Sequence, residues 1–396
     1  MKKVYIYCAL TALILCLFSI KIHDMTKKED TKVKVGFLFP SDEITPYTAN
    51  FIDAEKELVA EYGDEVECVL KYNVSEADAE KYVSELLQEN CDYIIAASYG
   101  YETAVKEIAA KHTDVQFCVP AGDNANEEPV LSNYHTCFGT IYQGRYACGV
   151  VVGEKLKELM DEGTITADQA KVGYVAAFSN AEVISGYTAF YLGVQSVVPQ
   201  ATMLVKYTDT WSNYHKEMKA TEELIDEGCI VISQHTNTIG PAVACEAAAM
   251  EEKNVYHVGY HQSMREVAPT SSLVSCGVNY TNYFIQSVEA LLDGDKIENH
   301  VKGTVIGQDA MGGYKEGWVQ ILDLNTAILP DGIEDVVAQT MEGLENGSIQ
   351  AFYGDFTGVN PEDASDTVDL HTAYKENAQS SAPSFHYVLE DVITVL

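Results

Sequence analysis

KVGYVAAFSNAEVISGYTAFYLGVQSVVPQATMLVKY, residues 171–207, holds one complete unit of the fold. Val172 to Ala176 is a short apolar run, Ala181 to Val198 reads as helix, and Ala201 to Tyr207 returns to strand. A run that is apolar without alternation is buried on both faces, the habit of parallel strands covered by helices. The pattern continues toward the C-terminus. His215 to Glu227 and Pro241 to Glu252 are helical, and Ile230 to Ser233, Val255 to Val258 and Ser272 to Asn279 are strands. An amphipathic helix follows from Asn282 to Leu292.

Toward the N-terminus the same alternation appears first. Val35 to Phe39, Val66 to Leu70, Tyr93 to Ala97 and Val115 to Val119 are strands. Helices are expected over Ala54 to Tyr62, Ala77 to Leu87 and up to Lys111, then a long one over Ile141 to Met160. Two such sets make two doubly wound α/β lobes. The expected division is 33–160 plus about 277–300 for the first lobe and 161–276 for the second. Residues 301–396 have a mixed pattern that assigns them to neither.

The chain carries 60 acidic and 25 basic side chains over 396 residues, a charge of −35. Such a charge repels phosphate backbones and anionic bilayers, which disfavours nucleic-acid binding and basic-patch membrane docking. With 47% apolar residues and dispersed charge the chain can bury a core, which disfavours disorder. Cys91, Cys118, Cys137, Cys148, Cys229, Cys245 and Cys276 stand singly in or beside apolar runs, with no C-x-x-C pair. They read as buried free thiols.

Lys2 and Lys3 precede an uncharged apolar run of 17 residues, Val4 to Ile20. That length is at the lower limit for a bilayer span and above a usual signal-peptide core. It contains Cys8 and Cys16, but Leu15 before Cys16 fits a lipoprotein signal poorly. A retained signal-anchor is the preferred reading and a lipidated leader the alternative. Residues 1–32 then form anchor and tether, and the body beyond them has 19 basic and 57 acidic side chains. An acidic body behind a hydrophobic leader suits an extracytoplasmic face of the cell envelope.

In open α/β sheets the ligand lies off the carboxyl ends of the strands. That rule selects Pro40–Tyr47, Ser98–Tyr101, Ala121–Asp123, Phe178–Asn180, Asp209–Asn213, Gln234–Asn237 and Gly259–Gln262. These loops are rich in aromatic rings and amides and poor in charge, which suits a planar, neutral, hydrogen-bonding ligand. No G-x-S-x-G, H-E-x-x-H or G-x-G-x-x-G motif occurs. Gly307 to Lys315 lacks the G-K-[ST] of a phosphate loop, and His257 and His261 bracket a strand end rather than a helix face. No catalytic constellation, metal site or cofactor is expected.

Val172 to Phe178, Glu182-Val183-Ile184 and Ala189 to Gly193 together resemble the basic membrane protein family, solute-binding proteins of ABC importers that include purine-nucleoside receptors. Phe138-Gly139, Tyr142-Gln143-Gly144-Arg145-Tyr146, Trp211, Gln234-His235-Thr236 and Ile349 to Gly354 fit the same family in order and spacing. The resemblance covers about Lys34 to Gly358. It implies a type I periplasmic-binding-protein-like fold, with two doubly wound parallel-sheet lobes joined by crossing hinge segments. It also implies a nucleoside-like ligand and an ABC permease as partner. It transfers site roles to Tyr99, Tyr101, Trp211 and Asn279, with Glu182 as either a ligand contact or a helix cap. Nucleoside-binding members often carry aspartates where this chain has Gly259-Tyr260-His261-Gln262-Ser263, so a ribose-binding carboxylate is not evident.

The candidate ligand contacts are therefore Tyr47, Ser98, Tyr99, Tyr101, Asp123, Phe178, Glu182, Trp211, Asn213, His235, Asn237, His261, Gln262 and Asn279. Trp211 is one of two tryptophans and sits in a polar loop, where core packing is awkward. The plainer reading is preferred for three of these, a turn residue for Asp123 and ordinary loop amides for Asn237 and Gln262, and stands level with a ligand role for His235 as a packed histidine. The expected function is an extracytoplasmic solute-binding protein for a purine nucleoside or base. A tethered sensory ectodomain is the second reading and a nucleoside- or sugar-processing enzyme the third.

Overall fold

The computed structural model describes residues 32–396. The leader, with Val4 to Ile20, Cys8, Cys16 and the tether, lies outside the described residues. Among the described residues no helix is long and apolar enough to cross a membrane.

Two seven-stranded sheets organise the chain. The first is built from β1 (Val33–Leu38), β2 (Val66–Lys71), β3 (Tyr93–Ala96), β4 (Gln116–Pro120) and β5 (Tyr134–Gly139) in the parallel order 2-1-3-4-5. The second repeats that order with β6 (Lys171–Ala176), β7 (Thr202–Tyr207), β8 (Val231–His235), β9 (Tyr256–Tyr260) and β10 (Ser272–Val278). Helices α1 (Pro46–Tyr62), α2 (Ala79–Gln88) and α3 (Glu102–Ala109) cover the first sheet. The long α4 (Tyr142–Asp161) follows β5. The second lobe carries α5 (Ala181–Val197), α6 (Tyr214–Asp226) and α7 (Gly240–Met250). Helix α8 (Thr281–Asp293) then returns to pack on α1 and β1.

The sequence reading places no strand between Val119 and Ile141, and the structure has β5 there. Its residues are all buried, polar ones included. His135 Nε2 donates to Gln116 Oε1 (2.9 Å) and its Nδ1 lies 2.9 Å from Glu298, while Thr136 Oγ1 donates to Asp309 (2.9 Å). Buried polar groups with partners are tolerated in a core, but they break the apolar run by which a strand is recognised.

The C-terminal hundred residues complete both sheets. After α9 (Ile297–His300), β11 (Thr304–Ile306) and β12 (Asp309–Gly312) extend the first sheet beside β5. Next, β13 (Val319–Leu322) joins β10 antiparallel. The helix α10 (Ile333–Asn346) precedes a hairpin of β14 (Thr357–Asn360) and β15 (Asp363–Asp369), and β16 (Ile393–Val395) pairs with β7. Gly307 to Lys315 thus forms a hairpin turn, a strand held between β11 and β5, and the start of a lobe crossing.

The chain crosses between sheets after β5, after β10 and between β12 and β13. At these crossings Thr140 N donates to Gly312 O (2.9 Å) and Asn279 N to Trp318 O (2.7 Å). Helices α4 and α5 pack closely because two glycines face the opposing backbone. A Cβ on Gly149 would lie 2.0 Å from Phe190 O, and one on Gly193 2.1 Å from Tyr146 O. All eight described cysteines are free and seven are buried, as the sequence reading expects.

Candidate functional site

A cavity of about 410 Å³ opens between the carboxyl edges of the two sheets. This lies within the ~300–1,000 Å³ usual for small-molecule sites. The loops after β1, β2, β3 and β4 supply one wall, and those after β6, β7, β8 and β9 the other. In each sheet the order reverses beside the first strand, so the helices that follow it depart to opposite faces and leave a crevice. The first wall carries Ser41, Thr45, Tyr47 and Thr48, then Glu76, Ser98, Tyr99 and Ala121. The second carries Phe178, Glu182, the stretch Asp209 to Ser212, Asn237, Tyr260 and His261.

Aromatic rings define the second wall. Trp211 meets Phe178 edge-to-face with centroids 5.4 Å apart, and Asn237 N donates to Trp211 O (2.8 Å), fixing the loop that carries it. Tyr260 and His261 are stacked at 3.5 Å, and the ring of Tyr47 meets His261 edge-on at 5.1 Å from the opposite lobe. Thr48, in the first turn of α1, is fully buried and its hydroxyl has no partner among the described residues.

Glu182 is the polar centre of that wall. Asn180 caps α5 by accepting from Val183 N (3.0 Å), which frees the Glu182 carboxylate from a capping role. Its Oε1 lies 3.4 Å from Nε2 of the buried His235. Burial pushes this carboxyl up to about 7, and the nearby positive charge of Arg145 opposes that rise. His235 comes this close because α5 has Gly186 there: a Cβ at that position would sit 2.7 Å from its Nδ1. Burial, reinforced by Arg145, keeps His235 far below its usual value and neutral.

Residues 32–339 match the family described as ABC transporter substrate-binding protein, PnrA-like. This chain belongs to that family. A purine-binding protein of Brucella abortus is 29% identical over 329 residues, covering 82% of this chain and 84% of that protein. A putative ABC transporter glucose-binding protein of Haloferax volcanii is 27% identical over 311 residues, covering 78% and 72%. Among solved structures, a solute-binding protein from Aeropyrum pernix K1 superposes with a TM-score of 0.65 at 15% identity, covering 84% of this chain and 95% of that one. One from Conexibacter woesei gives 0.61 at 16% identity, covering 80% and 98%. The fold is thus the type I periplasmic-binding-protein-like one that the sequence resemblance implies.

In this PnrA-like substrate-binding protein the structure gathers Tyr47, Ser98, Tyr99, Phe178, Glu182, Trp211, Asn237 and His261 around the cavity. It places the other six expected contacts elsewhere, each for a local reason. Tyr101 is buried and its hydroxyl donates to Val74 O (2.7 Å). Asp123 is turned to solvent beside the cavity, and its backbone N–H donates to Glu102 (3.1 Å). Asn213 caps α6 by accepting from Lys216 N (3.0 Å). His235 lies behind the wall, and Gln262 donates across the lobes to Asp53 (3.3 Å). Asn279 lies at a crossing between the sheets, where its Oδ1 accepts from Thr281 N (2.9 Å). His257 is a core residue 3.0 Å from Gln234 Oε1 and is not paired with His261.

Ser41, Thr45, Asp209, Thr210, Ser212 and Tyr260 lie in loops that the strand-end rule selects but were not singled out as contacts. Glu76 was missed altogether. It follows β2, and the same rule, applied to that strand, reaches it.

Proposed function

We propose that this protein captures a purine base or nucleoside between its lobes and presents it to an ABC permease at the extracytoplasmic face. The N-terminal segment Val4 to Ile20 is proposed to hold it at the membrane. The observation that carries the ligand reading is the cavity's make-up: a Trp211–Phe178 corner with Tyr47, Tyr99 and Tyr260, and a few directed polar groups. Flat aromatic walls favour a planar π-system, and Glu182, Ser98 and Asn237 provide acceptors and donors for ring nitrogens. The Brucella relative, named as purine-binding, supports the same class.

Glu76 and Asp209 also line the cavity, and carboxylates suit sugar hydroxyls. They favour a nucleoside over a free base. The same two groups support a sugar as the second reading, along with the Haloferax relative named as glucose-binding. Mass determination of the ligand that co-purifies with the protein separates the readings. A purine or purine-nucleoside mass is expected; a hexose mass would replace the purine reading with the sugar one.

A further inference from the structure

One layer beneath the second-lobe wall, Arg145 of α4 is completely buried. None of its three guanidinium nitrogens has a hydrogen-bond partner among the described residues. Its guanidinium carbon stands 3.9 Å from the centroid of the Tyr260 ring and 5.6 Å from that of Tyr174. A guanidinium stays protonated in proteins, so this is a permanent cation, set among the rings of Tyr174 and Tyr260 and the thiols of Cys276 and Cys148. A buried charge without a counter-ion is strongly unfavourable, and its surroundings must answer it.

The neighbouring histidines do not. Burial, with Arg145 adding to the effect, drives His235 and His261 well below their usual range and takes His257 to about 3, so all three are neutral. The titratable groups near Glu182 are His235 from β8, Tyr260 and His261 from the end of β9, Tyr174 from β6, Tyr47 from α1 and Tyr280 just before α8. Asp209 and Glu76 share its cavity. Arg145 is the cation of this group, and Glu182 is an acid whose charged form it favours. The two are linked through one layer of rings: Arg145 covers Tyr260, Tyr260 lies 4.6 Å from His235, and His235 touches the Glu182 carboxylate.

We propose that Arg145 is a positioning residue for ligand selection: lodged behind Tyr260, it supplies the positive charge that keeps Glu182 a hydrogen-bond acceptor at the cavity wall. The site then favours bases that turn N–H donors toward that wall. A carboxylate accepts two parallel N–H bonds, and guanine offers such a pair at N1 and its 2-amino group, whereas an unsubstituted purine ring offers none. The choice of these probes rests on the purine reading; the link between Arg145 and Glu182 does not.

The test has a ligand-free arm and a ligand arm, both on the full chain in detergent. Carbon-13 NMR of labelled glutamate, assigned with Glu182→Gln, follows the ionisation of Glu182 without ligand. Arg145→Met is expected to raise its midpoint by about one pH unit or more, and Arg145→Lys to leave it within about half a unit. Coincident midpoints in the wild type and folded Arg145→Met overturn the proposal. The wild type alone supplies the second arm, which stands even if Arg145→Met does not fold. Guanosine affinity is expected to fall about tenfold per pH unit below 7, and purine riboside affinity to stay level. Parallel pH profiles for the two nucleosides overturn donor selection. Failure of the wild type to bind either nucleoside removes the purine reading and donor selection with it, and the NMR midpoints then decide the Arg145–Glu182 link alone.

Discussion

The ring of Tyr47, on the first lobe, meets the ring of His261, on the second, edge-on with centroids 5.1 Å apart and planes at 68°. Beside it Gln262 donates across the same gap to Asp53. Tyr47 and His261 line one cavity whose walls come from different sheets. Ligand that touches both walls stabilises this arrangement by its differential affinity for the closed form. Tyr47→Ala is therefore expected to loosen closure: solution scattering should show a smaller decrease in radius of gyration on saturation than the wild type shows. Equal decreases would assign Tyr47 no part in closure.

Trp211 is only partly buried, whereas Trp318 is fully buried at a lobe crossing. Trp211→Ala should remove a stacking surface worth about 1–3 kcal/mol, a loss of roughly 5- to 150-fold in affinity. Its ligand-free stability should change little. Trp318→Ala should behave in the opposite way and lose about 3–5 kcal/mol of folding stability. Calorimetry and denaturant melts on both variants check the pair. A Trp211→Ala protein that melts early but binds normally would remove Trp211 from the site.

Glu182 links affinity to pH-dependent stability. Its carboxyl is raised from 4.5 to about 7 in the folded protein, with the attraction of Arg145 already included. The group therefore favours folding fully below about pH 4.5, and that contribution is lost as pH rises through 7. Because part of the side chain is exposed to the cavity, the difference is taken as about 1–3 kcal/mol. Glu182→Gln should match wild-type stability near pH 5 and exceed it at pH 8, while weakening binding of N–H-bearing purines. Denaturant melts at the two pH values test this; a variant less stable at pH 8 contradicts it.

Much of this architecture was legible in the sequence because parallel strands buried on both faces read as unbroken apolar runs. β5 escaped because His135 and Thr136 are buried polar residues satisfied by Gln116, Glu298 and Asp309, partners distant in sequence. The strand-end rule located the cavity loops, since topology alone sets where they gather. It could not say which side chains turn inward. Asn213 and Asn279 spend their amide oxygens on backbone N–H groups two or three residues on, and Tyr101 spends its hydroxyl on Val74. Arg145 was visible only as part of a motif, because nothing in a helical sequence marks a guanidinium that will be enclosed by two rings.

Asp309 is a structural test outside the cavity lining. It accepts from Ser381 N (2.5 Å), Ser381 Oγ (2.6 Å) and Thr136 Oγ1 (2.9 Å), joining the C-terminal segment to the first sheet. Asp309→Ala leaves those buried donors unpaired, at about 1–3 kcal/mol for such a group. Melting should fall accordingly with ligand affinity retained. A normal melt would mean that this junction contributes nothing to stability.

Whether a purine is held between the lobes is read by calorimetric titration of protein stripped of ligand by unfolding and refolding. With adenine, adenosine, guanosine and glucose as titrants, saturable one-to-one binding of at least one purine is expected, with no heat from glucose. Saturation by glucose, with every purine silent, would overturn the purine site.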